Sequence, residues 1–173
     1  MRLNGNGKHV WSLRFGAEGK DYLYHLGTDH DENVLFIGYY TSNAIEFGGG
    51  PLTNQGGNDI FVVKLDADGN HLWSRSFGGS DSDVPYGLDV DAEGNVYVCG
   101  EFRSAAMDFG GEELHAQTEG LYDVFAVKLD TDGEHVWSKT FAGGDGHDYC
   151  SSADLDAAGN VYLAVRQQAT SVD

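Results

Sequence analysis

Apolar residues along this chain alternate with polar ones in short runs, and nowhere do they recur at the three-and-four spacing of a helix. Phe61, Val63 and Leu65 line one side of one run, and Phe125, Val127 and Leu129 line one side of another. β-branched and aromatic residues fill these runs, so a period of two predicts strands. Between paired runs stand "DADGN" (66–70), "DAEGN" (91–95), "DTDGE" (130–134) and "DAAGN" (156–160). Each carries the Gly that a tight hairpin needs at positive φ.

The pattern recurs on a larger scale. "NHLWSRSFGG" (70–79) returns as "KHVWSLRFGA" (8–17) and "EHVWSKTFAG" (134–143), which separates Trp11, Trp73 and Trp137 by 62 and 64 residues. Within one period the runs predict four strands: a over Tyr86–Asp91, b over Asn95–Arg103, c over Asp123–Asp130 and d over His135–Phe141. A repeated four-stranded antiparallel unit is the blade of a β-propeller, which buries its faces only by stacking on its neighbours. The all-β reading divides the chain into an outer strand d in 1–16 (His9–Phe15), a first blade in 17–79, a second in 80–142 and a partial third in 143–173. The third ends just after its b strand, at Asn160–Val165. Two full blades plus partial ones fall short of the about 4 to 8 of a closed ring. The expectation is a segment truncated on its C-terminal side, or copies that self-associate to complete the ring. In one unit "TDHDENVLF" stands where a Gly turn is expected.

Composition narrows the function. Ten Lys and Arg against 28 Asp and Glu give a net charge of −18, a field that repels nucleic acid and anionic membranes. No apolar run is long enough for membrane insertion, and the N-terminal residues lack the apolar region of a signal peptide. Cys99 and Cys150 are too few and too far apart for a metal knuckle or a disulfide framework, and Cys150 is expected as a small buried filler.

"GLDVDAEGNVYVCGEF" and "DVFAVKLDTDGEHVWSKTFAGG", joined by a glycine-rich insert, resemble the SBBP repeat of bacterial secreted and cell-surface proteins, named for a seven-bladed β-propeller. The inserts "IEFGGGPLTNQGGNDIF" and "MDFGGEELHAQTEGLYDVF" are similar to a variant found in myxobacteria. The resemblance implies the propeller fold and an extracellular or cell-surface location, and it carries no catalytic motif to transfer.

Strand direction puts the d-to-a and b-to-c connections at one face and the tight turns at the other. Long inserts at Ser42–Asn58 and Ser104–Tyr122 crowd the first face, where loops of that length point to function. "FGGG" (47–50) and "FGGS" (77–80) are not phosphate loops, since neither a helix N-terminus nor a suitably placed Lys follows. Asp21, Asp83 and Asp148 precede the a strands there, and Asp59 and Asp123 the c strands. Such aspartates cap loop amides, or they form an acidic rim that binds a cation or a basic or polyhydroxylated partner. Tyr22, Tyr24, His25, Tyr86, His147 and Tyr149 lie around the a strands, where rings can stack on sugars. Asp66, Asp68, Asp130 and Asp132 invite a calcium reading, but a Gly at the fourth place followed at once by a strand is hairpin chemistry, not an EF-hand. His9, His71 and His135 recur two residues before each Trp and read as architecture, as do the three Trp. No catalytic residue can be named. The chain reads as a non-catalytic binding or surface-display module for a protein or glycan, without a cofactor unless calcium binds. The alternatives are a propeller lyase or hydrolase with a metal in the channel, and a structural spacer.

Overall fold

A computed structural model describes residues 1–117, 120–141 and 146–167, and among these the only regular elements are strands. A hairpin of β1 (Arg2–Leu3) and β2 (His9–Trp11) leads into a sheet that starts with β3 (Asp21–Thr28) and β4 (Val34–Tyr40). A small hairpin, β5 (Ala44–Glu46) and β6 (Pro51–Thr53), is inserted before the sheet is completed by β7 (Asp59–Leu65) and β8 (His71–Phe77). The plan repeats in β9 (Asp83–Val90), β10 (Val96–Phe102), the inserted β11 (Ala106–Met107) and β12 (Leu114–His115), then β13 (Asp123–Leu129) and β14 (His135–Phe141). β15 (Tyr149–Leu155) and β16 (Val161–Arg166) begin a third sheet. Both complete sheets are antiparallel in chain order, and the ring is not closed. The boundary at 142/143 and residues 168–173 lie outside the described residues.

The middle strands are apolar on both faces because each sheet is sandwiched. All seven residues of β7 and of β10 are buried. Between the two complete sheets lie Leu35, Ile37, Ile60 and Val62 of one and Val96, Val98 and Phe125 of the other. β9 packs on β3 and β4, and β15 on β9 and β10, so the innermost strands follow one another around the stack.

Trp11 and Trp73 close the seams, and the recurrent His pack within their own blades. Trp11 donates its indole N–H to the Ala67 carbonyl of the next sheet's turn at 2.9 Å, and Trp73 donates to Thr131 at the same distance. Truncating an indole buried as deeply as that of Trp73 costs about 3–5 kcal/mol. His71 and His135 lie against Gly49 and Gly111 of their own inserts, where an added Cβ would come within 2.3 and 2.2 Å of the ring. Each of the three His rings also meets a Ser three residues on at 3.1 Å.

Five expectations change. The chain does not open on a lone outer strand, since β1 is the end of a c strand and pairs with β2. The d strand stops at Trp11 rather than Phe15, because a two-residue partner offers no ladder further on. Cys99 and Cys150 form a disulfide from β10 to β15, stitching neighbouring sheets whose cysteines are 51 residues apart in sequence. The inserts are not simply exposed loops: Ile45 and Phe47 pack on Phe36 and Phe61, while Met107, Phe109 and Leu114 join the seam that contains Phe77 and Phe125. Finally, the turn without Gly forms normally, with Glu32 at φ 61° where its counterpart Gly94 has φ 87°.

Candidate functional site

The register places Asp21, Tyr40 and Asp59 side by side at one end of the first sheet, and Thr28, Val34 and Leu65 at the other. These are the loop end and the turn end, and their polar groups are handled in opposite ways.

At the turn end every carboxylate at the head of a turn is satisfied locally. Asp66 Oδ1 accepts the amides of Asp68 and Asn70, and Oδ2 accepts the Asn70 side chain. Asp130 accepts from Asp132 and Glu134 in the same way, and Asn4 does so from Asn6 and Lys8. These bonds to the ionised form hold Asp66 and Asp156 below the usual carboxylate range, the Asn side chain contributing most. Burial works against ionisation of Asp29 and Asp91, yet Asn33 with Lys64, and Asn95 with Tyr97 and Lys128, bring both below that range. Lys64 Nζ stands 3.0 Å from Asp29 Oδ2, and Lys128 Nζ 3.3 Å from Asp91 Oδ2. The calcium candidates Asp66 and Asp130 thus have their oxygens turned to their own loops. Among the described residues no three His, Cys, Asp or Glu side chains converge on a point.

At the loop end the carboxylates are drawn inward. Asp59, Asp83, Asp123 and Asp148 are buried, below the surface rather than along an exposed rim. Asp83 accepts from Gly79, Arg103 and the Ser104 amide and hydroxyl. Asp59 accepts from Gln55 N, Asp123 from Gln117 N and Asp21 from Ala17 N, and the Asp148 amide donates to the Tyr122 carbonyl of the preceding sheet. At Asp83 and Asp59 these bonds do not fully offset burial. It raises Asp83 and carries Asp59 up to about 6, the Asp83 charge adding to the effect. Three buried side-chain oxygens have no hydrogen-bond partner among the described residues: Asp21 Oδ1, Asp59 Oδ1 and Glu101 Oε2, all at this end.

Glu101 marks the centre of the site. A bulge interrupts each innermost strand at one place, skipping Tyr24, Tyr86 and Ser151 in the three ladders. A bulge re-aims the extra side chain. The facing glycines of the first two sheets, Gly38 and Gly100, have no space for a Cβ, which would strike the Tyr22 and Val84 carbonyls. Tyr86, so placed, donates its hydroxyl to Glu101 Oε1 at 3.1 Å. Tyr24 stands edge-on to Tyr86 with centroids 5.0 Å apart, Tyr39 lies 5.9 Å from Tyr24, and Tyr22 5.1 Å from Tyr39. Glu101 is only 4 % exposed, whereas Tyr22 and Tyr24 are 48 and 42 % exposed. Burial pushes the Glu101 carboxyl up to about 7 against the pull of the Tyr86 hydroxyl, and burial together with the Glu101 charge raises both Tyr86 and Tyr24.

The structure therefore brings Tyr24 and Tyr86 together, as neighbours across a seam. Tyr149 belongs to a separate group with Tyr122 and His147, and the Arg166 guanidinium lies 5.9 Å from its ring. His25 does not reach the cluster; its Nδ1 accepts the Leu88 amide across the seam. Reading loops and repeated Asp missed Glu101. Its signal lay in the repeat itself, where one b-strand position holds Tyr39, Glu101 and Arg166 in turn.

Comparison with known proteins bears on the same region. The model of the SBBP beta-propeller repeat matches residues 72–101, from β8 through the end of β10. The sheets are β-propeller blades. A distant relative, the uncharacterized WD repeat-containing protein L264 of Acanthamoeba polyphaga mimivirus, is 22 % identical over 181 residues. That alignment covers 89 % of this chain, which spans only 13 % of the relative's length. The bacterial and myxobacterial attribution rests on the sequence resemblance alone.

Proposed function

We propose that the chain is a non-catalytic binding module that presents the loop end of its blades to a protein partner. One observation carries this reading: the exposed Tyr22 and Tyr24 and the under-satisfied buried carboxylates gather at the loop end, while the turn-head carboxylates are satisfied in every blade. Polar groups left buried without partners are costly and rare, and their concentration at one end is the mark of a site rather than of a scaffold. Half-exposed Tyr supplies large rigid contact area at low entropic cost, as protein-binding surfaces require. The Ser–His contacts at 3.1 Å recur with the repeat at His9, His71 and His135, away from the loop end, and among the described residues Glu101 has Tyr86 as its hydrogen-bond partner, which favours binding over catalysis there. The disulfide between blades favours an oxidising location outside the cytoplasm, in line with the resemblance. Exposed Leu23 and Leu26 on β3 and Val165 on β16 call for further blades to cover them in the assembled ring.

Photocrosslinking tests the proposed face. A benzophenone amino acid at Tyr22 should give a discrete protein adduct in the native host, and one at Val136 on the outer strand should not. Equal labelling from both positions would contradict the reading.

A further inference from the structure

At the turn end of the second blade, Tyr97, Asp91 and Lys128 form a closed trio. The Tyr97 hydroxyl donates to Asp91 Oδ2 at 3.1 Å, Lys128 Nζ meets the same oxygen at 3.3 Å, and that ammonium lies 4.9 Å from the Tyr97 ring centroid. Carboxylate and aromatic ring together hold one cation. At the loop end of the same strand pair the first half of this arrangement recurs: the Tyr86 hydroxyl donates to Glu101 at 3.1 Å. No cationic side chain among the described residues answers it. Arg103 pairs with Asp81 and Arg166 stacks on Tyr149, while Lys64 and Lys128 are held at the opposite end. Among the described residues Glu101 Oε2 is buried without a hydrogen-bond partner, and the Tyr22, Tyr39 and Tyr24 rings lead from solvent to Tyr86.

We propose that Glu101 and the tyrosines around it receive the ammonium group of a lysine side chain, free or methylated, carried by the protein partner. The inference rests on the binding reading above and adds the chemistry of what is bound. A ring quadrupole attracts a cation within about 6 Å of its centroid, and methylated ammonium suits such a cage because it is easily stripped of water. A carboxylate at the bottom supplies the opposite charge, and the chain's net charge of −18 draws a basic segment toward it. Tyr24, nearly half exposed on its bulge, is the wall that the ammonium meets on its way to Tyr86 and Glu101. A neutral sugar, the other ligand that stacks on tyrosine, leaves the Glu101 charge unanswered.

The test uses the 173-residue chain and blocked single amino acids: lysine, trimethyl-lysine and acetyl-lysine amides, with a neutral disaccharide as a further arm. Tyrosine ring resonances are followed by NMR. The two cationic probes are expected to shift Tyr24 and Tyr86 with affinities in the millimolar range, as befits one anchoring group, and acetyl-lysine and the sugar to leave them unmoved. Glu101→Gln should weaken the cationic probes about tenfold while preserving the rest of the spectrum. Equal response to acetyl-lysine or to the sugar, no response of these rings at all, or full affinity in Glu101→Gln would overturn the proposal. The crosslinking pattern from Tyr22 is unaffected by any of these outcomes, so the binding face and its chemistry fail separately.

Discussion

The two ends of each blade are built from the same residue types and reach opposite solutions. At the turn end, Asp29, Asp66, Asp91 and Asp156 lie at the heads of tight turns, surrounded by amide donors and in two cases by lysine, and all are held below the usual carboxylate range. At the loop end, Asp59, Asp83 and Glu101 are pushed above it, since burial outruns the donors they gather. The strands between impose neither outcome. What differs is burial and whether a cation answers it: Asp83 gathers three amides and a hydroxyl and is still raised, whereas Asp66 and Asp156 lie near solvent and Asp29 and Asp91 each have a lysine. The lesson is that an acid repeated with its partners is architecture, and an acid that departs from the repeat without a cation is where function is to be sought.

The largest expected effect comes from breaking the satisfied end. Lys64→Ala leaves Asp29, whose side chain is only 1 % exposed, without its cation, and should cost about 3 kcal/mol or more in a urea titration. A loss well under 1 kcal/mol would mean that the turn end is not held by its ion pairs.

The same measurement at the other end should give the opposite sign. Raised groups favour the folded state only while they carry their protons. The contribution of Glu101 is therefore complete below the ordinary glutamate range and is lost as pH rises through about 7, and that of Asp59 is lost through about 6. The depressed turn acids contribute above their ordinary range and lose that contribution as pH falls toward their folded values. Stability should accordingly peak near about pH 5. Glu101→Gln, which removes the charge and keeps the shape, should stabilise the chain by about 2 kcal/mol at pH 8 and by almost nothing at pH 4. Equal effects at both pH values would show that Glu101 does not carry a buried charge.

The smallest effect tests how closely one turn obeys its repeat. Glu32 occupies the left-handed conformation that Gly94 adopts in the next blade, and its carboxylate pairs with Arg2 at 2.8 Å in an exposed contact of little worth. Glu32→Gly should raise stability by about 0.5–1 kcal/mol, read as a higher melting temperature. A lower one would assign the Arg2 pair more than its exposure allows.

Much of the blade was legible because alternation and turn residues are local properties. "FVVKL" and "FAVKL" declare strands and "DADGN" declares a turn without reference to anything distant. The Trp and His repeats were also readable, since threefold recurrence argues for packing whatever the residue type. What escaped depends on which blade faces which. Cys99 and Cys150 meet only because the second strand of one blade lies beside the first strand of the next. Phe47 and Phe109, isolated among glycines, read as loop residues until the neighbouring sheets enclose them. Glu101 was hidden in the opposite way: it sits inside the apolar run "VYVCGEF", where the eye expects core, and its importance rests on Tyr24 of another blade and on the lack of a nearby cation among the described residues. Of the tyrosines marked beforehand, Tyr24 and Tyr86 converge and Tyr149 does not, since only the bulges bring the first two to one seam.

The central claim is that one chain holds carboxylates in opposite electrostatic states at its two ends. Carboxyl carbon NMR across pH 2 to 9 tests it most directly, with Glu101 and Asp91 observed in the same sample. A Glu101 midpoint near 7 and an Asp91 midpoint below the ordinary aspartate value of about 3.9 are the predicted result. Two ordinary midpoints, close to those of model peptides, would contradict it.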